Sequence, residues 1–301
     1  LRFTKNWKPL EKTTTDAWMR KFAGNKVFES MWKPMLDGKF GEHWADKVNM
    51  AWMWARLHVR TTRLGTFKGC FQRFADKFAE KLVNDGVDIR YTQAVKKISK
   101  NTNGGLDVLV GEAQVERFDQ VLVTLSPGLM AKLAPELPAD YLGELLRLNH
   151  MGAVVMTLSL KHPLSPDGYY WYNIPKQAGY PFLSLVEHTN FLQPEYFGGD
   201  HIIYIGDYLE KDHPNFNKTE DELLAEFLPH LKKINPEFNP DWVKKVWVSK
   251  TGYAQPIPLV NHSKNIPDIK TPVEGLWFAS MSQVYPWDRG TNFAVEIGRR
   301  A

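Results

Sequence analysis

Cysteine is almost missing from this chain of 301 residues: Cys70 stands alone, so no internal disulfide can form. A reducing compartment suits that usage, and the expected location is cytoplasmic. No apolar run reaches the ~20 residues that a membrane-spanning helix needs, and no signal peptide is visible. Contact with a membrane surface stays open. The 38 basic and 34 acidic residues are scattered and leave a net charge of only +4. No basic run or recognition module points to nucleic acid. His-x-x-x-His, His-Glu-x-x-His and Cys-x-x-Cys spacings are absent, so no metal site is expected. A Gly-x-Ser-x-Gly nucleophile elbow is lacking too. So is the Gly-x-Gly-x-x-Gly turn that a Rossmann dinucleotide site places between a strand and a helix.

What the chain does have is 43% hydrophobic residues, enough to build a core for one large or two ordinary domains. Its start reads as helical. Thr13-Thr14-Thr15-Asp16 is an N-terminal signal and Gly24-Asn25 a break. A second helix is expected from Asn25 to Asp37, with Val27, Phe28, Met31, Trp32 and Met35 on one side and Gly38 and Gly41 at its end. A third run is expected from Trp44 to Arg60, with Val48, Ala51, Trp52, Ala55 and Val59 at helical spacing. Trp32, Trp44, Trp52 and Trp54 crowd this region. Two readings stand: Trp52 and Trp54 wall an apolar substrate cavity, or they are plain core.

After Lys68-Gly69-Cys70, the residues Phe71, Phe74, Ala75, Phe78, Ala79 and Leu82 recur as one helix face, which Asp85-Gly86 terminates. Cys70 is either a buried small residue or a reactive thiol. Short strands are expected at Val87 to Tyr91 and Ala94 to Ile98. Asn103-Gly104-Gly105 then turns the chain into Leu106 to Val110, and Gly111-Glu112 into Gln114 to Phe118, so three antiparallel strands follow. Asp119 to Ser126 is nearly continuous in apolar residues, the pattern of a strand buried on both faces, yet no other run offers it a complete parallel βαβ partner.

The middle of the chain is β-rich. Met151 to Leu160, Tyr169 to Tyr172, Pro181 to Val186, His201 to Gly206 and Asp241 to Thr251 read as strands, with a helix from Glu220 to Lys233 opened near Asn217 or Thr219. A mixed antiparallel sheet with helices on one face is expected. Glu187-His188-Thr189-Asn190 is the densest polar cluster there. Glu187 and His188 are candidates for general acid or base work, with a hydrogen-bonded surface turn as the alternative.

The most informative stretch is the last, from Gly275 to Ala301. An apolar strand, Leu276 to Ala279, enters a polar loop closed by Asp288, Arg289 and Gly290, and Thr291-Asn292 open a helix carrying Phe293, Ala294, Val295 and Ile297. Free N–H groups and the positive end of the helix dipole meet there, and Gly290 permits close approach, so the place suits an anionic or electron-rich ligand.

This segment resembles the C-terminal flavin-binding motif of the FAD-dependent amine oxidase superfamily, which includes protoporphyrinogen oxidases and phytoene desaturases. The stretch from Lys68 through Ile98 is similar to the middle flavin-domain segment of the same group. The resemblance implies an α/β fold in which a partial Rossmann-like FAD domain joins an α+β substrate domain. It assigns residues 1–63 and 132–270 to the substrate domain, and 64–131 and 271–301 to the FAD domain. It implies FAD as cofactor, held by the backbone at Val95, by Ser280 and Met281 at the strand end, and by Asp288, Arg289, Gly290, Thr291, Asn292 and Phe293 at the helix start. Tyr285, Trp287 and Gln255 join Trp52 and Trp54 as expected cavity residues for an apolar small-molecule substrate. One departure is plain: Ser280-Met281 stands where the family has Gly-Asp, which removes a carboxylate from the ribityl contact and leaves Asp288 as a substitute candidate. The expected activity is oxidation of a C–N or C–C bond by hydride transfer to flavin. Alternatives are a flavin-dependent sugar-nucleotide mutase, for which Arg56, Arg60 and Arg63 are the arginines, and a non-catalytic binding module on a relict flavin fold. The absent glycine motif and a last helix without a C-cap glycine lead to the expectation of a fragment without its nucleotide-binding half.

Overall fold

In a computed structural model, which describes residues 1–61 and 63–301, the chain has ten helices and ten strands among the described residues, apart from isolated single turns. The helices are α1 (Thr15–Ala23), α2 (Asn25–Val27), α3 (Lys33–Phe40), α4 (Glu42–Ala45), α5 (Met50–His58), α6 (Cys70–Asn84), α7 (Pro127–Leu133), α8 (Ala139–Leu146), α9 (Glu220–Leu231) and α10 (Thr291–Arg300). The strands are β1 (Val95–Lys100), β2 (Leu106–Val110), β3 (Gln114–Phe118), β4 (Val121–Val123), β5 (His150–Leu160), β6 (Trp171–Asn173), β7 (Ser184–Glu187), β8 (His201–Leu209), β9 (Val243–Pro256) and β10 (Leu276–Phe278). They form two compact units, each of discontinuous chain.

The first unit comprises Leu1–Pro9, Ala51–Leu148 and Asn261–Ala301. Its meander β1-β2-β3 is antiparallel as the turns predict. Side chains alternate across a strand, so Leu106, Val108 and Val110 of β2 all point inward, where they meet Met130, Leu137 and Leu145 from the α7–α8 region. Ser126 caps α7 by accepting a hydrogen bond from the Leu129 N–H, and Pro127 takes the first helical position, where its missing N–H costs nothing.

β4 finds its neighbour far along the sequence: it pairs in parallel with β10, Val121 opposite Leu276 and Val123 opposite Phe278. Gly275 makes the approach possible. It has φ of +79°, and a Cβ there would lie 2.7 Å from the Asp119 carbonyl oxygen. The expectation of a strand buried on both faces fails, because Val123 is buried but Leu122 and Leu125 are exposed. Among the described residues this sheet has two strands and apolar cover on one face only. α6 shows the same shortage: Phe67, Phe71, Phe74 and Phe78 stack along it, but none of its residues is buried. The strand expected at Val87 to Tyr91 does not form, and Arg90 instead binds Asp88 and Glu116. A strand needs a ladder partner, and none reaches this segment among the described residues.

The second unit comprises Leu10–Met50 and Asn149–Val260. Its sheet runs in the order β6-β7-β8-β5-β9 and is antiparallel throughout. α9 opens with a capping box between Thr219 and Glu222, and lays Leu223, Phe227 and Leu231 on the face that carries Val154, Met156, Leu158, Ile203 and Ile205. This matches the expected sheet with helical cover.

The N-terminal helices depart from their expected registers. A π-turn at Phe28–Trp32 widens the helix between α2 and α3, so that Phe28, Leu36 and Phe40 are buried while Val27 and Met31 are exposed. The run expected from Trp44 to Arg60 breaks between α4 and α5. There the Asn49 side chain donates to the Leu259 carbonyl at 2.7 Å and its N–H to the Pro258 carbonyl at 2.9 Å, a tertiary pairing that overrides helix continuation.

One inward position of β8 is polar. Asp207 pairs across to Val154 on the face shared with Ile203 and Ile205, and burial pushes its carboxyl up to about 7 against the pull of Lys176 and a backbone donor at Tyr208. A raised folded-state value means the penalty is absent below the unfolded value of 3.8, grows as the pH rises, and is complete above about 7. Asp207→Asn removes a charge whose burial costs on the order of 4 kcal/mol at most. It is expected to raise the thermal midpoint near pH 8 and to leave it almost unchanged near pH 4. A calorimetric pH series on both proteins checks this, and an equal gain at both pH values contradicts it.

Candidate active site

The candidate site in the first unit is built where the β4–β10 pair ends and α10 begins. Ser280 and Gln283 form a capping box directly after β10: the Ser280 side chain accepts from the Ser282 N–H, and the Gln283 Oε1 accepts from the Ser280 N–H at 2.7 Å. Gln283 then donates to the Phe278 and Pro267 carbonyls, both at 3.1 Å. The Ser280-Met281 segment is therefore a small closed turn, and no carboxylate stands there. The Ser-x-x-Gln spacing is a capping signal readable in the sequence.

α10 begins at Gly290, whose extended backbone supplies no side-chain cap. The N–H groups of Phe293 and Ala294 return to the Gly290 carbonyl at 3.0 and 2.9 Å. Helix geometry leaves those of Thr291 and Asn292 without a partner within the helix, at exposed positions. A ten-residue helix with an open tip presents donors and a positive dipole end together.

Aromatic rings adjoin this tip. The Phe293 ring lies nearly parallel to Trp287, with centroids 5.9 Å apart; Trp287 meets Trp54 at 5.4 Å, and Trp54 stacks on His58 at 4.6 Å. Tyr285 packs edge-on against Trp7 and His262. Trp52 and Trp54 are both buried, and the Trp54 indole donates to the Thr4 carbonyl at 2.9 Å. Asp288 forms an ion pair with Arg56 of α5 and also accepts from the Arg289 N–H at 3.0 Å, while Arg56 lies over the Trp52 ring. The only candidate replacement for the missing ribityl carboxylate is thus already engaged by an arginine. His58 joins the cluster unannounced by the sequence, which names Arg56 only as a diphosphate arginine, because helical spacing from Trp54 and Trp52 says nothing about a loop at Asp288. Val95 opens β1 at an exposed position opposite Val110.

The remaining candidates lie in the second unit. Glu187 is completely buried, and its two oxygens accept from the Leu164 N–H at 2.8 Å and the Ser165 N–H at 2.6 Å. Burial pushes its carboxyl up, and these two donors hold it down. His188 packs against Phe197 and Tyr204, with burial lowering its pKa. Gln255 is buried and donates to the Pro256 carbonyl at 2.9 Å. Among the described residues no cluster of three or more His, Cys, Asp or Glu side chains is arranged to hold a metal ion.

As a test of fit for a flavin, the open tip of α10 offers what an electron-rich ring edge needs, two free backbone donors and a dipole. A side chain at Gly290 would place its Cβ 2.8 Å from the Asn292 Oδ1. The ribityl end fits less well, because Met281 brings no carboxylate.

The sequence matches the family described as flavin containing amine oxidoreductase over residues 2–301. No curated protein matches it. Among solved structures, a protein from Exiguobacterium sp. 255-15 assigned as a protoporphyrinogen oxidase is similar with a TM-score of 0.70 and 15% identity, over 94% of this chain and 64% of that one. Cyclohexylamine oxidase from Brevibacterium oxydans IH-35A is similar with a TM-score of 0.61 and 14% identity, over 99% and 68%. A reduced UDP-galactopyranose mutase is similar with a TM-score of 0.63 and 12% identity, over 84% and 57%. At these identities the likeness establishes a shared mixed α/β fold.

Burial decides what two substitutions do. Glu187→Gln turns one acceptor into a donor facing an N–H, and is expected to destabilise by about 1–3 kcal/mol. Trp54→Ala removes a buried, hydrogen-bonded indole, and is expected to cost about 3–5 kcal/mol. Urea titration of both variants measures these losses, and values below those of exposed-site controls would place the side chains outside the core.

Proposed function

Because the chain belongs to the family of flavin-containing amine oxidoreductases, we propose that it forms the larger part of an FAD-dependent oxidoreductase acting on a C–N or C–C bond of an apolar small molecule. Within that class, protoporphyrinogen-oxidase-like or desaturase-like chemistry is favoured over simple amine oxidation by the aromatic load around the candidate site. The observation that carries the reading is the uncapped tip of α10, set beside the Trp287–Phe293 stack. In this reading residues 64–131 and 271–301 belong to the FAD domain, and residues 1–63 and 132–270 to the substrate domain. Residues 1–301 carry no Gly-x-Gly-x-x-Gly turn for the FAD pyrophosphate. A cytoplasmic setting accords with the lone cysteine, and no helix among the described residues is long and apolar enough to cross a membrane.

Bound FAD would supply the ring that accepts a hydride from the substrate. The work of this chain is to hold and enclose. The Thr291 and Asn292 N–H groups would hold the electron-rich edge of the ring, at the helix end whose dipole favours negative charge. Trp287 and Phe293 present a flat apolar wall that excludes water. Arg56 neutralises Asp288, so that no uncompensated carboxylate opposes charge at the helix tip. Ser280, Met281 and the backbone at Val95 are the remaining proposed cofactor contacts. A diphosphate site of the mutase kind draws less support, since Arg56 is committed to Asp288.

The visible spectrum of protein expressed from the complete reading frame is the direct test. Flavin bands are expected, and a folded but colourless protein removes the oxidoreductase reading in favour of a binding module. Thr291→Pro refines it, since proline is welcome at the first helical position but deletes one N–H. Flavin retention weaker by about 1 kcal/mol is the expected result, and unchanged retention would show that the tip does not face the cofactor. Residues 1–301 alone are expected to hold FAD more weakly than micromolar.

A further inference from the structure

The ion pair between Arg56 and Asp288 lies within the first unit and immediately ahead of α10. Asp288 is two residues before Gly290, where that helix starts. Its Oδ1 accepts from the Arg289 N–H at 3.0 Å and lies 3.4 Å from the Arg289 guanidinium, while its Oδ2 meets Arg56. Arg56 reaches it from α5, 232 positions earlier in the sequence. A second contact fixes the Arg56 guanidinium, whose central carbon lies 4.9 Å from the centroid of the buried Trp52 ring. Nothing local to α10 calls for this arginine.

A carboxylate at this place matters to whatever the helix tip binds. Negative charge beside a helix N-terminus compensates the positive end of the dipole. That compensation favours the helix, and it also cancels the field that a ligand at the tip would feel. The apolar rings of Trp287 and Phe293 adjoin the tip, so charge fixed there is screened less than in open water. Uptake of a hydride brings a flavin two electrons and one proton, and the ring gains one negative charge. The free energy of that change follows the fixed charge beside the ring.

We propose that Arg56 is a positioning residue for electron uptake: by binding Asp288 it keeps the tip of α10 positive and sets the reduction potential of the flavin held there. The proposal rests on the flavin reading and extends it from where the cofactor sits to how readily it accepts electrons.

Reduction potentials of the flavin-loaded full-length protein, measured against a reference dye at low ionic strength, test it. Arg56→Met removes compensation from Asp288 and is expected to lower the potential. The ratio of reduced to oxidised flavin at a fixed potential should fall about tenfold, which is about 30 mV for a two-electron couple. Asp288→Asn leaves the arginine without its counter-charge and is expected to raise the potential by a similar amount. The double variant should return close to the parent, because both charges leave together. Arg56→Lys keeps the charge at some loss of stacking geometry and should also stay close to the parent. The side chains are 39% and 22% exposed, so added salt should shrink both shifts. A purely structural role for the pair does not produce shifts of opposite sign. Single variants that leave the potential unmoved, or move it in the same direction, overturn the proposal, as does Arg56→Lys behaving like Arg56→Met. Should Arg56→Met fail to retain flavin, Asp288→Asn decides alone: a raised potential supports the proposal and an unchanged one overturns it. A colourless parent removes the flavin reading and this proposal together, whereas a coloured parent indifferent to both substitutions overturns this proposal only.

Discussion

The parallel contact between β4 and β10 is the constraint on which the candidate site depends. Three residue pairs join segments separated in sequence by the Asn149–Val260 part of the second unit. The Val121 N–H donates to the Gly275 carbonyl at 2.8 Å, and the Ala279 N–H to the Val123 carbonyl at 2.9 Å, so the pair is tied at both ends. Only glycine tolerates the approach of residue 275 to the Asp119 carbonyl. From that anchor the chain passes through the Ser280–Gln283 capping box, past Tyr285 and Trp287, and into α10 with its first amides open. Loss of the strand pairing would leave the donors without a fixed position, however good the helix.

Polar groups in this fold divide into two kinds. The exposed amides of α10 cost little, because water serves them until a ligand replaces it. The Asp207 carboxyl is largely withdrawn from water, and that burial outweighs the Tyr208 backbone donor and the charge of Lys176, which raises its proton affinity. Glu187 is the instructive contrast: it is more deeply buried, yet two backbone donors satisfy its oxygens, so it anchors the loop at Leu164 and Ser165. Two inward carboxylates on neighbouring strands thus have different consequences, decided by how many donors lie within reach.

Much of the fold was legible in the sequence because local pattern and tertiary demand agreed. Asn103-Gly104-Gly105 set the meander, a polar residue at Asn217 or Thr219 marked the start of α9, and the β-prone run from Met151 to Leu160 marked the central strand. The misreadings share a cause. Asn49 interrupts a helical pattern by bonding to Pro258 and Leu259, and the π-turn at Phe28 rotates the inward face away from Val27 and Met31. Neither is encoded in a short window, since each depends on what lies across the core.

For the candidate site, the sequence by itself determined the chemistry of the helix tip: Gly290 without a side chain, Thr291-Asn292 at the start, and aromatic residues just before it. It also established the absence of a carboxylate at Met281, since residue type needs no coordinates. Only the tertiary structure decided that Arg56 occupies Asp288, that Trp54 and Trp287 meet, and that Glu187 is a loop anchor while burial raises the proton affinity of Asp207. Those outcomes rest on distances between residues remote in sequence, where ion pairing, ring stacking and burial vary steeply with position and periodicity carries no information.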